Sequence, residues 1–343
     1  MMTTSYISSI NLWNAPRTGL ARLQTDLARA NTEIATGRYA DIGLALGTKV
    51  GTSLGLRQQG AEIDALKDGN GVTALRLKTS QSALAQMQSA ADTLLQSLVG
   101  QPEGQRAAVA VSAGNQLPTL TAALNTAVAG QYVFGGINSG TAPVADTAIA
   151  TLRSGIAADF TTFFGFAPGS PAAANASAAQ MQTFLDTYVA PRFADAAWAG
   201  VSAASGAVTS RISLSETVAT GASADAQPFA RLAMAYIVST DLGLSSFSTA
   251  AQTVATSRVI GLLGEGSGGL VSMQADLGRS QALITAANTR LDAQKTLLSS
   301  AVGDLEAVDP AEAKTRVDTL TTQIQMSYAL TSQLRQLSLV NFL

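Results

Sequence analysis

Apolar residues near the start of the chain step along it by three and four: Leu20, Leu23, Leu27, Ala30 and Ile34. That spacing lines them up on one stripe of a helix and predicts a coiled-coil seam. Gly37 and the series Gly43, Gly47, Gly51, Gly55 interrupt it, so residues 36–55 are predicted to form a loop or an irregular, closely packed segment. A longer seam follows through Ile63, Leu66, Leu77, Leu84, Met87, Ala91, Leu94 and Leu98. Asn70, Thr73 and Ser80 fall on the same stripe, and polar intrusions of this kind set register at a cost in stability. Gln101-Pro102-Glu103-Gly104 ends this helix, and another is predicted over 105–129, kinked or divided by Pro118.

Between Gly135 and Ala224 the chain turns rich in Gly, Ala, Thr, Ser and Pro, with two aromatic groups. Phe160, Phe163, Phe164 and Phe166 form one; Phe184, Tyr188, Phe193 and Trp198 form the other. Val208, Ile212, Leu214 and Val218 predict a strand or hairpin over 206–220. Helix is predicted again over 228–240, 248–259 and 270–308, the last with Ile284, Ala287, Leu291, Leu298, Val302 and Leu305 on one face. Asp309-Pro310-Ala311-Glu312 reads as a helix start, with Asp at the N-cap, Pro at N1 and Glu at N3 reaching back. The final helix carries Val317, Leu320, Ile324, Leu330, Leu334 and Leu337, and from Thr319 to Leu343 its only charged residue is Arg335.

The predicted fold class is mainly α: a long, coiled-coil-like bundle formed by the N- and C-terminal segments, with an inserted middle domain of mixed α/β structure. The expected divisions are an N-terminal assembly helix (1–35), the first part of a helical rod (36–139), the inserted domain (140–224), the second part of the rod (225–308) and a C-terminal assembly helix (309–343).

The seams differ in what can cover them. Those over 63–98 and 284–305 are long, comparable and able to cover each other. The ends have less to gain: a four-residue Leu/Ile stripe contributes about 6–12 kcal/mol at about 1.5–3 per side chain. Ordering about twenty residues costs roughly 20–40 kcal/mol. An end helix with one partner is therefore marginal, and exposed Leu337, Leu339, Val340, Phe342 and Leu343 favour aggregation in a free monomer. Neighbouring subunits resolve both problems. The candidate assembly interface is Leu20, Leu23, Leu27 and Ile34 with Val317, Leu320, Ile324, Leu330, Leu334, Leu337, Leu339 and Phe342.

Composition narrows the chemistry. The 343 residues are 47% hydrophobic but only 5% aromatic and 13% charged, as expected of long helices built from small and mid-sized residues. Net charge is −2, with five lysines and no basic run, so nucleic acid and anionic membrane surfaces are poor partners. There is neither cysteine nor histidine, which removes thiolate chemistry, disulfides, the commonest general base and the commonest metal ligand. No cofactor, metal site or catalytic residue is expected. No N-terminal secretion signal is apparent, and no apolar run approaches the roughly 20 residues that span a bilayer. Gly264-Glu265-Gly266-Ser267-Gly268-Gly269 matches a dinucleotide-binding spacing. It lacks a surrounding βαβ unit, and Glu265 would repel a pyrophosphate, so a flexible connector between helices is expected. Asp304, Glu306, Asp309 and Glu312 lack the spacing of a calcium loop and read as a solvated helix junction.

Three segments resemble the bacterial flagellins and, more closely, the family of flagellar hook-associated protein 3. They are Leu27-Ala28-Arg29-Ala30-Asn31-Thr32-Glu33-Ile34-Ala35-Thr36-Gly37-Arg38, then Gly130-Gln131-Tyr132-Val133-Phe134-Gly135-Gly136 with the residues up to Pro143, and the terminal Ser327–Leu343. With the helical pattern, the likeness covers about residues 1–140 and 225–343. Many relatives carry an acidic, proline-bearing stretch after the first helix; here Tyr39-Ala40-Asp41-Ile42-Gly43-Leu44 keeps one Asp and no Pro. The resemblance implies a structural subunit joining hook to filament, exported without a cleaved signal, with end segments that order on assembly and an outward-facing insert. Implied partners are copies of itself, hook-associated protein 1, flagellin and a cytoplasmic export chaperone. A filament-forming flagellin stays open as an alternative, as does, more remotely, a nucleotide- or sugar-binding enzyme.

Overall fold

The computed structural model describes the backbone of residues 9–206 and 208–340 and the side chains of 17–206 and 208–333. The chain divides into two units, one of residues 1–64 with 292–343 and the other of residues 65–291. In chain order the elements are α1 (Ser9–Thr36), α2 (Ile42–Leu46), α3 (Val50–Val99), α4 (Glu103–Val111), α5 (Gln116–Leu124), β1 (Ala127–Val128), β2 (Gln131–Tyr132), α6 (Asp146–Phe164), α7 (Ala178–Phe184), α8 (Asp195–Val201), β3 (Thr209–Arg211), β4 (Thr217–Ala219), α9 (Gln227–Asp241), α10 (Thr249–Glu306) and α11 (Pro310–Val340). The fold is mainly α, with long helices drawn from both ends of the sequence and a small mixed middle region.

In the larger unit the seam of α3 is the predicted one: Asn70, Thr73, Leu77, Ser80, Leu84, Met87, Ala91, Leu94 and Leu98 are all buried. Its partner is α10, which buries Leu263, Ser267, Leu270, Leu277, Ser280, Ile284, Ala287 and Leu291. The pair is antiparallel. Ser267 Oγ donates to Asp92 Oδ1 (2.6 Å), Gln274 Nε2 to Gln88 Oε1 (2.9 Å) and Asn70 Nδ2 to Asn288 Oδ1 (2.7 Å), so residue numbers fall on one helix as they rise on the other. Asn70 also donates to the Ile212 carbonyl, which fixes the β3–β4 hairpin against the seam. Polar rungs between apolar layers penalise every other alignment, because a slip leaves amides buried without partners.

The middle of this unit packs around α9, which is buried on nearly every side from Phe229 to Ser239. Helix α9 packs against α4, α5, α6 and α8, as an all-round apolar helix requires. The two aromatic groups of the sequence regroup. Phe184 and Tyr188 join Phe160, Phe163 and Phe164, while Phe193 stacks on Trp198 at 6.2 Å. Trp198 Nε1 donates to the Ala224 carbonyl at 2.9 Å, so the buried indole is satisfied. Phe134 meets Phe229 edge to face at 5.7 Å. The middle region is stapled where it begins and ends: Ile137 N–H donates to Ser205 O, Ala203 N–H to Pro143 O, and Ala224 N–H to Phe134 O. Gly136 sits at this neck with φ +59, and a Cβ there would lie 2.3 Å from Ser205 O.

Four expectations are corrected. The 105–129 helix divides before Pro118, at a 3₁₀ turn over Ser112–Asn115, and ends at Leu124, where the chain enters the β1–β2 hairpin. Pro118 occupies the first turn of α5, where its missing N–H costs nothing. Residues 36–55 are largely helical: only 37–41 lie outside helical turns, and Gly51 and Gly55 lie inside α3. The Gly264–Gly269 connector does not exist, because α10 runs unbroken through it. A Cβ on Gly266 would lie 2.7 Å from Leu232 Cδ2, and one on Gly269 would lie 2.4 Å from Pro228 Cγ. These glycines let α9 and α10 approach closely, and the gain in packing outweighs their poor helix propensity. Finally, Glu306 is not solvated; it is fully buried.

Candidate assembly interface

Within the smaller unit, α1 and α11 pack along each other in antiparallel register. Gln24 Nε2 donates to the Tyr328 hydroxyl (3.1 Å), and Arg316 Nη1 to Glu33 Oε2 (3.2 Å), so 24 meets 328 while 33 meets 316. Side chains covered on α1 are Leu20, Leu23, Leu27, Ala30 and Glu33; on α11 they are Ala313, Val317, Leu320, Ile324, Ser327 and Thr331. Both series step by three and four, as a two-helix seam requires. Among the described residues of the pair, burial is complete only near one end, at Ala30 (1% exposed), Glu33 (7%) and Ala313 (2%). Further along, the leucines and Ile324 are half-covered.

The predicted interface residues therefore fall into three groups. Leu20, Leu23, Leu27, Val317, Leu320 and Ile324 share the α1–α11 seam. Ile34 (44% exposed) and Leu330 (60%) lie off it, and Glu33 and Ser327 take the places their spacing suggested. The side chains of Leu334, Leu337 and Leu339, and Phe342 altogether, lie outside the described residues. Two large side chains that the pattern did not single out, Met326 and Tyr328, also face solvent.

A junction closes the well-packed end. Helix α1 stops at Gly37, whose φ of +69 lets its N–H return to Glu33 O. The following link runs beside the α10–α11 link: Tyr39 N–H donates to Glu306 O, and Val308 N–H to Gly37 O. Glu306 accepts from Ser53 Oγ at 2.5 Å and Arg57 Nε at 3.0 Å, pairs with Arg57 Nη2, and lies 3.5 Å from Arg38 Nη1. The Arg57 hydrogen bond, aided by Ser53 and by the charges of Arg57 and Arg38, holds the Glu306 carboxyl below the usual range against the opposing effect of burial. Asp309 accepts from Ala311 N–H as a cap. Glu312 does not close a capping box; it accepts from Arg316 Nη2 instead. Asp41 caps the short α2 through Leu44 N–H, leaving Leu44 78% exposed.

Among the described residues no group of three or more Asp or Glu side chains is placed to hold a metal. The Gly264–Gly269 backbone N–H groups are spent on helix hydrogen bonds and cannot cradle a phosphate. No described helix is long and apolar enough to cross a membrane.

Residues 7–139 match the family model for the bacterial flagellin N-terminal helical region, and residues 260–343 match that for the bacterial flagellin C-terminal helical region. Together these matches cover more than half of the chain. The chain belongs to the flagellin-like family. No curated protein matches it. Flagellin-like proteins are structural, non-enzymatic subunits of the bacterial flagellum, exported and self-associating outside the cell. The matched regions account for α1, α3 and α11 in this flagellin-like chain, and for most of α10. They leave residues 140–259 unmatched, including the aromatic cluster and α9.

Proposed function

We propose that this flagellar subunit sits at the hook–filament junction, joining the two through its terminal helices. In this reading residues 1–35 and 309–343 are the assembly helices, 36–139 and 225–308 support them, and 140–224 form an outward-facing middle domain. The partners are copies of the same chain, hook-associated protein 1 on the hook side, flagellin on the filament side, and a cytoplasmic chaperone before export. One observation carries the assembly role: α1 and α11 cover each other only in part, and Ile34, Met326, Tyr328 and Leu330 face outward. Two helices with apolar residues on seam and flank gain from further helices packed around them. The resemblance of Leu337-Ser338-Leu339-Val340-Asn341-Phe342-Leu343 to junction subunits favours the junction over the filament.

Polymerisation of the purified chain tests the assignment. Short oligomers that extend only when hook-associated protein 1 and flagellin are supplied are expected; long filaments seeded by the chain itself would make it a filament flagellin. Because the chain has no cysteine, one introduced at an exposed position such as Gln59 allows fluorescent labelling on living cells. A single spot at the base of each filament is expected, and label along the filament would overturn the junction assignment.

A further inference from the structure

The two carboxylates buried at the junction of the smaller unit have no role in a simple picture of apolar assembly. Glu33 lies in the last turn of α1 and Glu306 is the last residue of α10, each next to the paired links 37–39 and 306–308. Each reaches another element. Glu306 binds Ser53 and Arg57 on α3 and lies against Arg38 of the link. Glu33 binds Arg316 on α11 and accepts from Ala40 N–H at 3.2 Å. The carboxylates are enclosed while Arg38, Arg57 and Arg316 stay about half exposed (50%, 46% and 44%). Such pairs add little net stability compared with apolar packing, and each enclosed carboxylate loses its partners if the elements shift. Among the described side chains of α1 and α11, burial is most complete beside these groups and less so from Leu27 to Leu20 and from Val317 to Thr331.

We propose that Glu306 and Glu33 form a two-carboxylate clamp that fixes the direction in which α1 and α11 leave their junction with α3 and α10, and that the terminal pair orders outward from this clamp. They are positioning residues for assembly: the apolar helices supply the contact surface, and the clamp sets the angle at which each copy presents it. This rests on the assembly role of the terminal pair and holds for a junction or a filament subunit alike.

Spin labels on cysteines replacing Gln59 on α3 and Thr315 on α11, both exposed in the same unit, read the clamp directly in the full chain. A narrow distance distribution is expected for the parent and at least a twofold broader one for Glu306→Gln, which keeps size and removes charge. Glu33→Gln should broaden it too. Glu312→Gln, at a 69% exposed side chain sharing Arg316, should leave it narrow. In cells, Glu306→Gln should lower incorporation into flagella at least tenfold, with export and helicity retained. An unchanged distribution in Glu306→Gln would overturn the clamp; a broadened one with normal incorporation would overturn its role in assembly. If Glu306→Gln fails to fold, Ser53→Ala, which removes one hydrogen bond and no charge, should show an intermediate width, and a parent-like width would count against the clamp. Failure of the parent itself to enter flagella would refute the assembly reading and leave the distance result standing.

Discussion

Gly268 and Gly269 are adjacent on α10, yet alanine at the two positions should have opposite effects. At Gly268 a Cβ meets nothing within 4 Å, so Gly268→Ala only removes backbone freedom from the unfolded chain and should stabilise by about 1 kcal/mol. At Gly269 the same gain applies, but the Cβ would lie 2.4 Å from Pro228 Cγ and 2.8 Å from Pro228 Cβ. A proline ring cannot rotate away, and Pro228 sits in the first turn of the buried α9. Forcing a methyl group into such a contact costs about 1–3 kcal/mol, and the rigidity of the ring argues for the upper half. The two variants should therefore differ by about 2–3 kcal/mol. For a unit of this size that is a separation of about 4–12 °C in Tm, measurable by thermal unfolding followed by circular dichroism. If Gly269→Ala melts at or above Gly268→Ala, close approach of α9 and α10 is not the reason for the glycines.

Three further outcomes are expected. Removing Tyr328–Leu343 should leave the α3–α10 pair folded, with its amide exchange unchanged, while abolishing incorporation into flagella; normal motility would contradict the role given to the C-terminus. Leu330→Asp, at an exposed position, should change melting by under about 0.5 kcal/mol yet weaken assembly at least tenfold in a sedimentation assay, and equal polymerisation would remove this face from the interface. The Glu306 carboxyl, held low by Arg57, Ser53 and Arg38, stabilises its charged form. Its contribution is thus complete above the usual glutamate range and lost only as pH falls through the lowered folded-state value. Label distances across the junction should stay narrow through the neutral and mildly acidic range and broaden only once the pH has fallen below the usual glutamate range, a transition that Glu306→Gln should erase.

The long seams were legible because helical periodicity is local: every member of the 77–98 stripe lies three or four residues from the next, and each proved buried. The terminal seam was legible only as far as leucine spacing could carry it. Leu330 looked like its continuation, but a strict three-four step from Ile324 selects Ser327 and Thr331, and a serine announces no seam. The clamp was hidden for a different reason. Ser53 and Arg57 lie 253 and 249 residues from Glu306 in sequence, so only folding reveals that an apparently solvated acid is enclosed. The glycine run misled because glycine in a sequence signals flexibility, whereas in contact with Pro228 and Leu232 it signals proximity.

The hydrogen-bonded neck at Ile137–Ser205, backed by Ala203–Pro143, bears on how freely this protein can vary. Because the two ends of the intervening segment are already held together, a longer segment pays only a closure entropy that grows with the logarithm of its length, about 0.6 kcal/mol for each doubling. Extra residues at exposed positions within that segment, such as Ala174–Asn175, need not propagate into the seams of α3 and α10. Selection can then rewrite what the middle of the chain displays while the helices that assemble it stay under separate constraint, and a foreign epitope grafted at those positions would inherit the same freedom.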